Sequence, residues 1–261
     1  MLNRIRPEFG SSIAVFGCGT VGMSAIMAAK IAGCKNIIAV GGNPKSLELA
    51  KELGATHTIN RREESDIVGK IKNEIVPGGV NYAIDTSGVA DFVKKALASC
   101  RFMGTAVVLG ATGDVTFNIQ AELMGDAKSL IGITEGDAIP KLFIPELLDY
   151  YKKGMFPFDK LIKFYPFEKI NEAFEESGSG KCIKAVYHKK AMHKIASLLR
   201  PLCQLACRQS LVALSNGLVH QQAFCHTCKL CVYQIEFGFR MFFFDLFEQH
   251  FCCGIRSRKL A

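Results

Sequence analysis

Between Gly10 and about Lys190 the chain alternates between two hydrophobic rhythms. Compact runs rich in β-branched, aromatic and other apolar residues read as strands: SSIAVFG, NIIAV, THTIN, NYAIDTS, GTAVVLGA, TFNI and SLIGI. The stretches between them space their apolar residues three and four apart, as helices do. GMSAIMAAKIAG is rich in Ala and Met and has no breaker, as expected of a buried helix. Asn43-Pro44 marks the next helix start, with Asn as N-cap and Pro at the first helical position. Leu47, Ala50 and Leu53 mark its apolar face and Gly54 its stop. ESDIVGKIKNEI places Ile67, Ile71 and Ile75 at i, i+4 and i+8, and ADFVKKALASC supplies a further helix. Strands separated by helices of this length imply a parallel sheet with helices on both faces, so the fold class is α/β, doubly wound.

Beyond Lys190 neither rhythm continues. Residues 191–261 contain seven of the 11 cysteines and the Phe-rich run FGFRMFFFDLF, which has no clean period, and read as a poorly ordered tail. Ser177 to Ile235 contains no Asp or Glu. The tail carries eight Lys/Arg against three acids, so +5 of the formal charge of +8 sits there and the remainder is nearly balanced. A basic tail is not a recognition face, and no nucleic-acid partner is expected. An apolar content of 49% and charged content of 21% are ordinary for a globular protein. No run of 18 apolar residues occurs, so no membrane association is expected. MLNRIRPEFGSS lacks an apolar secretory core. The expected location is cytoplasmic, with cysteines mostly as free thiols. No internal repeat is visible.

The clearest chemistry lies in Val15-Phe16-Gly17-Cys18-Gly19-Thr20-Val21-Gly22, between a strand and a helix. In a dinucleotide site of the Rossmann type, Gly17 allows the tight turn and Gly19 lets the backbone approach a pyrophosphate. Gly22 lets helix and strand pack closely, and the helix N-terminus offers its N–H groups to the phosphates. The competing reading is a tight turn with no ligand. An acid is expected about 20 residues on, at the end of the second strand, to bind the ribose hydroxyls. That position is Gly41. Glycine there removes repulsion of a 2′-phosphate and opens space, while Lys45, Arg61 and Arg62 supply positive charge. The sequence favours NADP over NAD. The alternative is NAD, held less specifically, with Arg61 and Arg62 as a solvated loop.

The motifs VFGCGTVG, AKELGATHTIN, YAIDTSG, VVLGATG and FPFDKLIKFYPFEKINEAFEES…GKCIKAV, in this order, resemble the C-terminal half of the medium-chain, zinc-dependent alcohol dehydrogenases, especially the aryl (benzyl) alcohol type. The resemblance runs from Gly10 to about Lys189, about two-thirds of the chain. It implies that Gly17, Gly19, Thr20, Val21 and Gly22 form the pyrophosphate loop, and that Gly41, Gly42 and Asn43 match the corresponding loop of NADP-using members. Arg61 falls near a further contact to the adenosine phosphate, and Thr86 and Ser87 follow the strand beside the adenine. Gly110 and Ala111 flank the nicotinamide, Ile133 and Thr134 match the segment contacting the carboxamide through backbone, and Lys184 stands at a basic position reaching the pyrophosphate. In such proteins an N-terminal domain supplies the catalytic zinc, its ligands and a proton relay.

The first strand begins about ten residues into this sequence, so the resemblance implies that the zinc ligands are absent and that no residue here is catalytic or metal-binding. Residues 1–9 are then the end of a linker helix, 10–155 the NAD(P)-binding domain, and 156–190 the return to a catalytic domain, left without its packing partner. The same resemblance implies homodimers built on the edge strand SLIGI. The spacing Cys225-x-x-Cys228-x-x-Cys231, near His220 and His226, resembles the start of the family's structural zinc lobe, but Phe239 stands where a fourth ligand is due, leaving Cys252 or Cys253 as the thiolates able to close a tetrahedral site; the competing reading is an unselected extension. Cys18, Cys34, Cys100 and Cys182 read as small packing residues, and Asp85 as a residue that orients a loop. The expected function is the cofactor-binding part of a zinc-type alcohol dehydrogenase acting on primary or aryl alcohols, inactive alone. The alternative is a non-enzymatic nucleotide-binding or interaction module using the Cys- and Phe-rich tail.

Overall fold

The computed structural model describes residues 1–187. The tail cluster of cysteines, the Phe-rich run and His188 lie outside the described residues. Residues 1–165 and 169–186 make one compact unit; of a second, Pro166–Glu168 and Tyr187 are described, with the Phe167 and Tyr187 rings edge-on at 6.4 Å.

The first unit is built as the alternation of strand and helix predicts. β1 (Ser12–Phe16), α1 (Thr20–Ile31), β2 (Asn36–Gly41), α2 (Pro44–Leu53) and β3 (His57–Asn60) form the first half. α3 (Ile67–Gly69), β4 (Val80–Asp85), α4 (Ala90–Ser99), β5 (Cys100–Val108) and β6 (Ser129–Gly132) form the second. All six strands are parallel, in the order β3-β2-β1-β4-β5-β6. Chain direction across the sheet therefore reverses between β1 and β4, which opens a crevice at their C-terminal ends.

Successive residues of a strand point to opposite faces, and both faces here are covered. Ile13, Val15, Ile37 and Ala39 pack beneath Met23, Ile26 and Met27 of α1 and Leu53 of α2. Ala14, Phe16, Ile38 and Val40 face the other way, onto Ile67, Ile71 and the α4 residues Phe92 and Leu97. β1 is buried along its whole length.

Local signals hold at α2. Asn43 caps it by accepting from the Lys45 N–H at 3.0 Å, Pro44 opens it, Leu47, Ala50 and Leu53 are its buried residues, and Gly54 ends it at φ 130°. The Ile67–Ile75 stretch departs from a regular helix. It starts only at Ile67, with Asp66 accepting from Gly69 N–H, and continues as a π-helical turn over Lys70–Ile75. Ile67 and Ile71 are buried and Ile75 is partly so. TFNI is not a strand: β5 already has β4 and β6 on its two sides, and Ile119 instead opens a π-helical turn, Ile119–Met124. Residues 1–9 hold a turn in which Ile5 and Arg6 N–H donate to Met1 O.

The segment that follows α4 and the parallel sheet packs back onto it. Phe156 and Leu161 join the core cluster of α1 and α2, and Lys160 pairs with Glu52 of α2. α5 (Pro140–Lys152) precedes this segment, and β7 (Ile162–Tyr165), α6 (Ile170–Gly178) and β8 (Lys184–Tyr187) follow, with β7 and β8 forming a two-stranded sheet. Within it, Tyr165, Ala173 and Cys182 are buried, and Glu176 accepts from Lys163 and the Tyr165 hydroxyl. No helix among the described residues is long and apolar enough to cross a membrane.

Candidate functional site

The residues singled out for cofactor binding gather along the C-terminal edge of the parallel sheet. Gly17 follows β1 at φ +105°, in the left-handed half of the map that a side chain disfavours, and a Cβ there would meet Thr86 Oγ1 at 2.5 Å. Thr86 fixes this turn from β4: its N–H donates to Phe16 O at 2.8 Å and its hydroxyl to the same oxygen at 3.0 Å. Gly22, in the first turn of α1, has no room for a side chain, because a Cβ would collide with the Gly17 carbonyl oxygen. Gly19 is different: nothing stands within 4 Å of its missing Cβ. It is the N-cap of α1, no side chain caps the helix, and the first turn has no acid. Its leading N–H groups, from Thr20, Val21 and Gly22 onward, thus retain donor capacity and the positive end of the helix dipole.

At the end of β2, Gly41 is buried, and the space of its missing side chain does not stand open as expected. Cys18 Sγ lies 2.8 Å and Leu47 Cδ2 3.1 Å from the Cβ position. Cys18 fills a gap, and burial pushes its thiol up to about 11, so it is no thiolate at neutral pH. Arg61 closes in from the turn after β3. Its N–H donates to Gly41 O at 2.9 Å, and its Nε lies 2.8 Å from where a Gly42 Cβ would be. Arg62 extends into solvent, its N–H donating to Asn60 Oδ1 at 3.1 Å.

Asp85, 1% exposed at the end of β4, organises the next loop as expected. Its carboxylate accepts from the Ser87 hydroxyl at 2.6 Å, Ser87 N–H at 3.2 Å and Gly88 N–H at 3.3 Å. Gly110 N–H donates to Asp85 O at 3.3 Å, and Gly88 lies so close to Ala111 that a Cβ would approach its carbonyl to 2.6 Å. Gly88 was not singled out from sequence, although the Ser-Gly pair after a strand was a usable turn signal. Ile133 buries its side chain and donates its N–H to Val108 O at 3.1 Å, so any backbone contact it offers is its carbonyl.

The return segment reaches this edge at two points. Thr20 Oγ1 donates to Ile183 O at 3.2 Å, and Asn43 Nδ2 donates to Gly180 O at 3.1 Å. Lys184, exposed, therefore starts one residue beyond a carbonyl anchored to the glycine loop. Neither hydrogen bond leaves a local signal, since their partners are 163 and 137 residues apart.

A cavity of about 420 Å³ lies elsewhere, beside α2, lined by Leu47, Glu48, Ile59, Glu64 and Lys70 among others. Among the described residues no three His, Cys, Asp or Glu side chains converge as a metal site. Cys100 and Cys182 are buried, while Cys34 is half-buried with Ser11 Oγ 3.5 Å away.

Residues 20–152 match the zinc-binding dehydrogenase family. A geraniol dehydrogenase from Castellaniella defragrans is 37% identical over 179 residues, 68% of this chain and 48% of its own length. The crystal structure of benzyl alcohol dehydrogenase from Acinetobacter calcoaceticus is similar at a TM-score of 0.69 and 40% identity, over 71% of this chain and 51% of that one. A putative zinc-binding dehydrogenase from Sinorhizobium meliloti 1021, solved bound to NADP, is similar at a TM-score of 0.57 and 25% identity, over 64% of this chain and 48% of that one. The chain thus spans about half the length of the relatives it matches.

Proposed function

The chain belongs to the zinc-binding dehydrogenase family, whose matched relatives are alcohol dehydrogenases, and from that premise we propose that its described residues hold the nicotinamide dinucleotide for alcohol oxidation. The observation that carries this reading is the Gly17–Gly22 turn: an uncapped helix start beside an open Gly19, at the crevice where the strand order reverses.

Gly19, Thr20, Val21 and Gly22 bind the pyrophosphate through backbone N–H groups, with Lys184 adding charge from the return segment. Thr86 keeps the turn in shape. Gly110, Ala111 and the Ile133 carbonyl line the nicotinamide end. When bound, the nicotinamide supplies or accepts the hydride; these residues hold it in place and exclude water from one side of it. Gly41, Gly42, Asn43 and Arg61 form the adenosine corner. The absence of a carboxylate at Gly41 and the approach of Arg61 favour NADP over NAD, even though Cys18 has taken up the space. The substrate class is primary or aryl alcohols, in keeping with the geraniol and benzyl alcohol relatives. We propose that the described residues contribute cofactor binding, and that the chain alone binds NADP(H) without turning over alcohol. A homodimer would pair β6, one of the two outer strands of the sheet.

Titration of the full chain with NADPH and NADH, followed by nicotinamide fluorescence, tests this. Saturable binding, tighter for NADPH, is expected. Binding of neither would remove the reading, equal binding would remove the preference, and zinc-dependent benzyl alcohol oxidation would remove the claim of inactivity.

A further inference from the structure

Phe92 carries two cations on its ring: Arg61 Cζ lies 5.5 Å and Lys95 Nζ 5.7 Å from the centroid. The ring is fixed. It sits in the first turn of α4, 7% exposed, and packs against the Phe16 ring of β1 at 5.9 Å. The two cations differ. Lys95 is held by Asp91 at 2.7 Å, whereas Arg61 has no carboxylate partner among the described residues. Arg61 is also tethered by its N–H bond to Gly41 O, and its Nε lies against Gly42.

An exposed arginine samples many rotamers, and ordering it on binding costs entropy. A guanidinium already resting on an aromatic face has met part of that cost before a ligand arrives. The anchored group here is a cation with unused donors, beside the two glycines that end β2. In a doubly wound dinucleotide site that corner receives the adenosine ribose, and an arginine there accommodates a 2′-phosphate.

We propose that Phe92 is the positioning residue of this corner, holding Arg61 over Gly42 so that a nucleotide bearing a 2′-phosphate is selected. This inference rests on the dinucleotide reading above. Phe92 itself touches no ligand; it acts through Arg61.

The full chain is titrated calorimetrically with adenosine 2′,5′-bisphosphate and with adenosine 5′-monophosphate, in wild type and in Phe92→Leu, Phe92→Met, Phe92→Tyr and Arg61→Ala. Wild type binds the bisphosphate more tightly. Arg61→Ala abolishes that preference. Phe92→Leu weakens bisphosphate binding about three- to tenfold, the range a cation–π contact supports, with the monophosphate unchanged. Phe92→Tyr, which keeps the π face, retains wild-type selectivity. Phe92→Met, flexible enough to fill an irregular gap and without a ring, behaves like Leu and decides the matter if the Leu variant does not fold. Equal weakening toward both nucleotides in Leu and Met assigns Phe92 a purely structural role and overturns the inference, as does unchanged selectivity in either. A wild type that prefers the bisphosphate while the Phe92 variants keep that preference overturns the inference alone. A wild type that binds neither nucleotide overturns the dinucleotide reading with it.

Discussion

Gly22 has no side chain because the Gly17 carbonyl oxygen occupies the place where its Cβ would go. The turn after β1 and the first turn of α1 are thus one packed object, and two glycines of the same motif have opposite tolerances. Gly22→Ala is expected to force the turn apart and destabilise the fold by about 2–3 kcal/mol, lowering Tm by about 4–10 °C. Gly19→Ala meets nothing within 4 Å and is expected to leave Tm unchanged while weakening NADPH binding. Differential scanning fluorimetry with and without NADPH separates the two; equal effects of both on Tm would contradict the assignment.

Placing an acid at Gly41 is expected to fail unless Cys18 gives way. Its Sγ stands 2.8 Å from the Cβ position. Gly41→Asp alone should destabilise the fold without improving NADH binding. Gly41→Asp with Cys18→Ala should recover stability and shift the ratio of dissociation constants toward NADH. Titration of both variants with both cofactors reads the outcome.

Cys18 and Cys100 make stability depend on alkaline pH. Burial pushes their thiols from the ordinary 9.0 up to about 11 and to about 12. A raised folded-state value means that the folded protein keeps protons the unfolded chain releases. The contribution is therefore complete below pH 9 and is lost as the pH climbs toward 11–12. Melting temperature should fall over that window in wild type and less steeply in Cys18→Ala and Cys100→Ala. Identical slopes in all three would count against the burial of these thiols.

Asp85 is buried and accepts three hydrogen bonds from the Ser87–Gly88 loop. Asp85→Ala leaves those donors unmet, at a cost of about 2–4 kcal/mol. Asp85→Asn keeps an acceptor and should lose less. Urea denaturation midpoints, at unchanged slope, provide the comparison.

Features written in adjacent residues were legible in the sequence. The cap, apolar face and stop of α2, the glycine turn, and the loop role of Asp85 each depend on neighbours a few positions apart. TFNI misled because alternation reports what a strand would look like, not which strand it could pair with; β5, just before it, is already flanked by β4 and β6. A spacing of four at Ile67, Ile71 and Ile75 marks a buried face but not which hydrogen-bond ring the backbone closes, so the π-helical turn was invisible. The long-range contacts escaped altogether. Nothing near Arg61 announces Phe92, and nothing near Phe156 announces the core beneath α1 and α2.

The hydrogen bonds from Thr20 to Ile183 and from Asn43 to Gly180 join residues that are synthesised far apart in time. The glycine loop is among the first parts of this unit to leave the ribosome, and its fastening points are among the last. A nascent chain can pair its sheet and bury β1 long before residues 180–183 emerge, since domains form as their segments are synthesised. The last fastenings of the glycine loop therefore arrive late, at the end of translation of this unit rather than with the loop itself.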